Sequence, residues 1–313
     1  MMNMQQAGVA NVVDINAPGA DLASLDVIDG MAVTDMVAAG LTVALRVAGL
    51  SAFRWLLGDR SQGVRATLKT GVYLGALLIP VQIFMGDMHG LNTLEYQPQK
   101  VAAMEGNWET QSIVPLLLFA IPDEEARENR MEIGIPNMAS IILKHKADGV
   151  VPGLNDFVTE DGEVLHPPVA PVFWSFRIMV GTGFAMLFLS WGAAFIMLRK
   201  GRGPDALPKI VTLAMVPMAF SGWVATLAGW YTTEIGRQPW LVQGVMTTEM
   251  AVADVPAPFV ATTLVSYLAI YVLLLTAYIS VLFYLARKGV DGDVPRRRTP
   301  QSGEAIARQV PAE

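Results

Sequence analysis

Long apolar runs separated by short stretches rich in arginine and lysine are the dominant pattern of the chain. Five runs, at roughly 36–56, 67–86, 178–198, 209–231 and 259–286, approach the ~20 residues that a helix needs to cross a bilayer. The last, FVATTLVSYLAIYVLLLTAYISVLFYLA, carries no charge. The first opens on Asp35 and has Arg46 at its middle, which makes it the weakest of the five. Pro80 lies inside the second run and is expected to kink it. Neither an internal repeat nor an interrupted helix pair is visible, which argues against a small transporter.

The polar segments then orient the runs. Arg54, Arg60, Arg65 and Lys69 join the first two, and Arg199, Lys200, Arg202 and Lys209 join the third and fourth. Arg287, Lys288 and Arg296, Arg297 and Arg298 follow the fifth. The positive-inside rule makes these places cytoplasmic, C-terminus included, and puts the acidic 87–172 connection outside the membrane. Residues 1–33 show no sustained periodicity and are expected to be an unstructured leader; they lack the basic start and apolar core of a secretory signal. Residues 289–313 are expected to be a disordered cytoplasmic tail. The 313 residues are 53% hydrophobic and only 16% charged, too apolar for an ordinary soluble domain. With no cysteine, disulfides and thiolate metal sites are excluded. No phosphate-binding loop, dinucleotide glycine motif, zinc spacing or nucleic-acid-binding patch occurs.

Candidate chemistry lies at the edges of the runs. In GWYTTEIGRQPW, a helix persisting to about Arg237 would put Trp230, Glu234 and Arg237 on one face before Pro239 stops it. A charged pair facing a bundle at membrane depth is costly and usually functional; the alternative is an interfacial anchor. In KVAAME, Lys100, Met104 and Trp108 share a side of a short helical turn, with Glu105 next to it. A lysine and a carboxylate just outside the membrane suit a polar ligand with an apolar tail, such as a quinol, whose oxidation needs a base. A surface salt bridge is the other reading. Met179 in FRIMVGTG is either core filler or a thioether ligand, with Arg177 able to neutralise an anionic group. His89 is either hydrogen-bonded at the membrane edge or a ligand. His145 and His166 receive no role.

Three stretches together, GDMHGLNTLEYQPQKVAAMEGNWET, FRIMVGTG and WYTTEIGRQPW, resemble subunit I of the cytochrome bd quinol oxidases, in the branch with a short quinol loop. The resemblance covers about 36–288. It implies an all-α integral membrane fold of about five spanning helices and one long extracytoplasmic loop, matching the last five of the family's nine helices. By that resemblance Met179 is the low-spin haem b ligand and Arg177 lies near that haem. Glu234 is at the high-spin haem b, Arg237 faces a propionate, and Trp230 lies between the high-spin haems. Lys100 and Glu105 bind and oxidise quinol. The implied activity is quinol oxidation by oxygen, with haem d or b at the oxygen site. The implied setting is the bacterial cytoplasmic (inner) membrane, with a second membrane subunit as partner.

Two departures stand out. The resemblance places Thr34 where the family has a low-spin haem histidine, leaving His89 as a weak substitute. The first four family helices, with a further histidine ligand and membrane carboxylates, have no counterpart, and 1–33 does not resemble the family. A misplaced start or a natural truncation would account for both. The chain alone is therefore not expected to turn over, and the competing expectation is a non-catalytic module that binds quinol or haem.

Overall fold

The structure, a computed structural model, describes residues 23–201 and 203–291, with side chains described within 35–281 apart from residues 202 and 279. Among the described residues eight α-helices follow one another: α1 Ala23–Leu56, α2 Gln62–Tyr96, α3 Pro98–Glu105, α4 Met138–Lys144, α5 Val169–Lys200, α6 Lys209–Met218, α7 Ser221–Ile235 and α8 Ala257–Asp291. Two antiparallel hairpins interrupt them, β1 Leu116–Asp123 with β2 Glu128–Ile135, and β3 Trp240–Val242 with β4 Met246–Thr247. α1, α2, α5 and α8 are each long and apolar enough to cross a membrane, and α6 with α7 adds a crossing if the bent pair is one span. The predicted all-α membrane class is what the structure shows. The chain divides into two compact units, Met1–Val252 and Ala253–Glu313. In the second, α8 is a single apolar helix whose described side chains are all exposed.

In the first unit, small residues let the helices approach closely. A Cβ on Gly71 of α2 would stand 2.8 Å from the Ala44 carbonyl oxygen of α1, so only glycine permits that crossing. The core around it is built from Ala48, Ala52, Trp55, Leu68, Val72 and Met197. Burying a side chain as large as Leu68 is worth about 1.5–3 kcal/mol in water, and in the bilayer close packing takes over that part. Arg46 is the exception to this apolar interior. An arginine at the centre of a span costs about 2.5–3.5 kcal/mol on insertion scales.

Several expectations change. Residues 23–33, assigned to an unstructured leader, are already helical in α1; they contain no proline, and Asp26 and Asp29 near the N-terminus favour the helix dipole. Residues 1–22 and 292–313 lie outside the described residues. The tail begins later than expected, because α8 continues to Asp291. α2 does not end near residue 86 but runs through Pro80 to Tyr96, where Gln97 donates to the Thr93 carbonyl and Pro98 opens α3. His89 is therefore a helical residue, half-buried, its carbonyl accepting from Thr93 Oγ1 at 2.8 Å.

The fourth span is interrupted, contrary to expectation: α6 and α7 meet at 43°. Pro217 has no amide hydrogen to donate and crowds the preceding turn. The Ala219 and Phe220 amides fall back on the carbonyls of Val216 and Pro217, at 3.1 and 3.0 Å. The connection between α2 and α5 is also more ordered than its glycines and prolines suggested. Its β1–β2 hairpin turns at Asp123, whose carboxylate accepts from the Glu125 and Ala126 amides at 3.1 Å. Those amide bonds, the Ala126 one foremost, with Arg130 adding to them, hold the Asp123 carboxyl below its ordinary pKa. Glu124 then accepts from the Val169 amide at 2.9 Å, tying the hairpin to the start of α5.

Candidate functional site

The short helix α3 lies across the ends of α2, α5 and α7 and carries Lys100 and Glu105. Pro98 occupies its first turn, where a missing amide hydrogen costs nothing. Gly106, left-handed at φ 67°, ends it, and the Asn107 amide returns to the Ala102 carbonyl at 2.9 Å. Its own Ala102 and Ala103 pack with Trp108, Leu154, Val169 and Val172, with Ile235 of α7 against them. This packing buries both charged residues, leaving Lys100 8% and Glu105 6% exposed.

Glu105 meets Arg177. The guanidinium of Arg177, on the first turns of α5, donates to Glu105 Oε2 at 2.8 Å, and both side chains are at least nine-tenths buried. Arg177 Nε also donates to the Leu117 carbonyl of β1, and its charge lies 4.6 Å from the centre of the Phe173 ring. The residue expected at a haem edge is thus held by the residue expected at the quinol site. Asn129 of β2 secures the same corner. It accepts from Trp108 Nε1 at 3.0 Å and donates to the Gly106 carbonyl and to Glu132 Oε1, both at 2.8 Å. Beside this corner is a cavity of about 420 Å³, whose lining includes Glu105, Trp108, Glu109, Arg127, Asn129 and Glu132.

Lys100 turns the other way, onto the end of α7. A Cβ on Gly236 would stand 3.0 Å from Lys100 Cε and 2.3 Å from the Thr232 carbonyl oxygen. Glycine at 236 is what lets the lysine cross the helix end. Burial lowers the Lys100 pKa and the charge of Arg237 lowers it further, against an opposing pull from Glu234. Lys100 and Glu105 therefore share a short helix but face different neighbours.

On α7 itself, Trp230 is 57% exposed. Glu234 and Arg237 lie 3.7 Å apart with 45% and 46% of their side chains exposed. The helix ends at Ile235, two residues short of the expected reach, so Trp230 and Glu234 share a helical face while Arg237 folds back from beyond the end. Met179 of α5 is half-buried, its sulfur beside Gly229 of α7: a Cβ there would be 3.0 Å from it. Arg177 and Met179, close in sequence, are thus engaged by different parts of the fold. Thr34 lies in α1 with its side chain outside the described set. Sequence reasoning missed Asn129, Gly236 and the pairing of Glu105 with Arg177, although Gly236 lies inside EIGRQPW and both members of the pair had been singled out separately.

These features define a multi-pass helical membrane protein with a polar site at one end of its bundle, under a small cap of helix and hairpin. Residues 10–290 match the family described as cytochrome bd terminal oxidase subunit I, and the chain belongs to that family. The match opens inside the segment that was expected to be unlike the family. Relatives include the cytochrome bd ubiquinol oxidase subunit 1 of Bacillus subtilis (strain 168), 30% identical over 84% of this chain and 58% of that protein. The cytochrome bd-II ubiquinol oxidase subunit 1 of Escherichia coli (strain K12) is 26% identical over 86% of this chain and 64% of its own length. The solved bd oxidase of Geobacillus thermodenitrificans superposes with a TM-score of 0.69 at 30% identity, over 82% of this chain and 57% of that one. The chain thus spans less than two thirds of the length of these relatives.

Proposed function

We propose that the chain supplies the quinol-oxidising corner and part of the haem-facing surface of a bd-type quinol:oxygen oxidoreductase subunit. The observation that carries this reading is the buried Glu105–Arg177 pair at the wall of a cavity at the membrane edge. A quinol releases two protons as its electrons leave, so its hydroxyls need an acceptor within hydrogen-bond reach. Glu105 lines the cavity and is that acceptor. Arg177 holds the carboxylate in place, and Asn129 ties down the adjoining Gly106 carbonyl. The basic residues flanking the spans support a reading with this cavity on the outer face of the cytoplasmic membrane and the C-terminus inside.

Haem is implied by the family, and the residues present fit it in part. The exposed α7 face carries a carboxylate at Glu234, a guanidinium at Arg237 and the indole of Trp230, a donor, an anion partner and a flat apolar wall. That donor set suits a high-spin haem b. For a low-spin haem b, Met179 offers one thioether, beside Gly229. When bound, haem b, with haem d or b at the oxygen site, supplies electron transfer and oxygen reduction. The relatives being first subunits, a second membrane subunit completes the assembly.

Replacing Glu105 by alanine in the complete enzyme should cut quinol oxidation and leave haem content intact; unchanged turnover would sink the assignment. A second reading, a module that binds quinol or haem without turnover, is favoured by the threonine at position 34. A reduced-minus-oxidised spectrum of the purified chain separates the two. A low-spin haem b signal supports the first, and high-spin haem alone supports the second.

A further inference from the structure

A cavity of about 270 Å³ opens where α1 ends and α6 begins. α2 runs from this end of the bundle to the Glu105 corner, and the two cavities share no residue. Trp55 and Leu56 of α1, Arg60 of the α1–α2 turn, and Leu207, Lys209 and Thr212 line it. Its floor is closed. Trp55, Leu207 and Thr212 are buried, and the Thr212 hydroxyl donates to the Pro208 carbonyl at 3.2 Å.

The rim is cationic. Asp59 and Asp205 are the only acids within 54–69 and 199–212, and each is already taken. Arg54 holds Asp59 at 2.6 Å, and Arg65 holds Asp205 at 2.7 Å. Arg60 and Lys209, both exposed, pair with no carboxylate among the described residues. The Arg60 guanidinium carbon lies 3.8 Å from the centre of the Trp55 ring. Stacking on a buried indole fixes that cation at the cavity while its N–H groups keep room for an acceptor. Two unpaired cations lining one small cavity favour an anion there.

A phosphodiester answers this arrangement, with one unbridged oxygen for the guanidinium and one for the ammonium. The surroundings add a second requirement. Leu57, Ile210 and Leu213, beside the lining residues in sequence, are exposed apolar side chains at the ends of membrane-spanning elements. The volume falls below the ~300–1,000 Å³ that encloses a whole drug-sized ligand, which suits a headgroup whose tails stay outside. We propose that this cavity binds an anionic phospholipid. Its headgroup phosphate is held by Arg60 and Lys209 above Trp55, and its acyl chains lie along Leu57, Ile210 and Leu213. Basic pockets between spanning helices recognise headgroups in this way.

The test is photolabelling of the assembled complex in lipid nanodiscs. The probe is phosphatidylglycerol with a diazirine at the head end of one acyl chain, and the labelled peptides are mapped by mass spectrometry. Label should fall within 55–60 and 207–213, and phosphatidylcholine with the same diazirine should label these peptides far less. Arg60→Gln and Lys209→Gln should each lower labelling about fivefold, and the pair together should bring it to the phosphatidylcholine level. Arg60→Lys should retain most of it, and Lys69→Gln, a cation outside the lining, should change nothing. Unaltered haem content in each variant shows that the complex still assembles. Equal labelling by the two lipids, or full labelling of the double variant, would overturn the proposal. So would displacement of the lipid by inorganic phosphate, which would make the site one for a soluble anion.

Discussion

At the loop end of the bundle, Glu105 and Arg177 meet every demand of their burial within this chain, through each other, the Leu117 carbonyl and an aromatic ring. On α7, only a few turns away, Trp230, Glu234 and Arg237 are about half exposed and hold one another loosely. The same side-chain chemistry is thus closed in one place and open in the other. A closed pair holds a group at a fixed position before any ligand arrives. An open pair leaves its donors and acceptors accessible. The difference separates a pair whose charges are met inside the fold from one left half exposed on its surface.

The largest effect should come from breaking the closed pair. Arg177→Met leaves Glu105 buried without its cation, which costs about 3–5 kcal/mol; protease resistance of the α2–α5 connection should fall sharply. Gly236→Ala should be next, at about 1–3 kcal/mol, because the new methyl meets the Thr232 carbonyl and Lys100. If the proposed quinol site holds, lower quinol oxidation by the complete enzyme without loss of haem should be its signature.

Asn129→Ala strands the Trp108 indole and the Gly106 carbonyl, at about 1–3 kcal/mol for a group left unsatisfied. Faster hydrogen exchange confined to α3 and the β1–β2 hairpin would confirm it, and an unchanged pattern would remove Asn129 from the corner.

Lys100 gives a smaller, pH-dependent effect. Its pKa is lowered from 10.5 by burial first and Arg237 second. Between that lowered value and 10.5 the unfolded chain binds more protons than the folded one, so stability rises with pH across the window. Below it the penalty is present in full. Lys100→Met should flatten this rise in an alkaline unfolding series. The smallest stability change is expected for Glu234→Ala, under about 1 kcal/mol for a half-exposed pair. Its consequence should be loss of high-spin haem signal instead. A Glu234→Ala variant as unstable as Arg177→Met would erase the contrast between the two regions.

The spans were legible because a bilayer demands runs of a length that nothing else in a sequence imitates. Lys100, Glu105, Met179, Arg177, Glu234 and Arg237 were legible as charged or thioether side chains at the ends of those runs. The β1–β2 hairpin was not, since β2 is exposed along almost its whole length and register shifts break the alternation that marks a strand. The break at Ala219 was hidden for a different reason. Pro217 sits in an apolar run whose composition continues unbroken through it.

The sequence by itself determined the membrane class, the apolar runs and where charged side chains fall along them, because transfer free energies and side-chain chemistry belong to residues locally. Only the tertiary structure decided which of them meet. Glu105 finds Arg177 across 72 positions, Lys100 turns away from its helix neighbour toward Gly236, and Arg46 comes to Trp223. Those outcomes depend on how closely packed helices approach one another. That approach is set by glycines and small side chains on several elements at once, and no single stretch of sequence contains it.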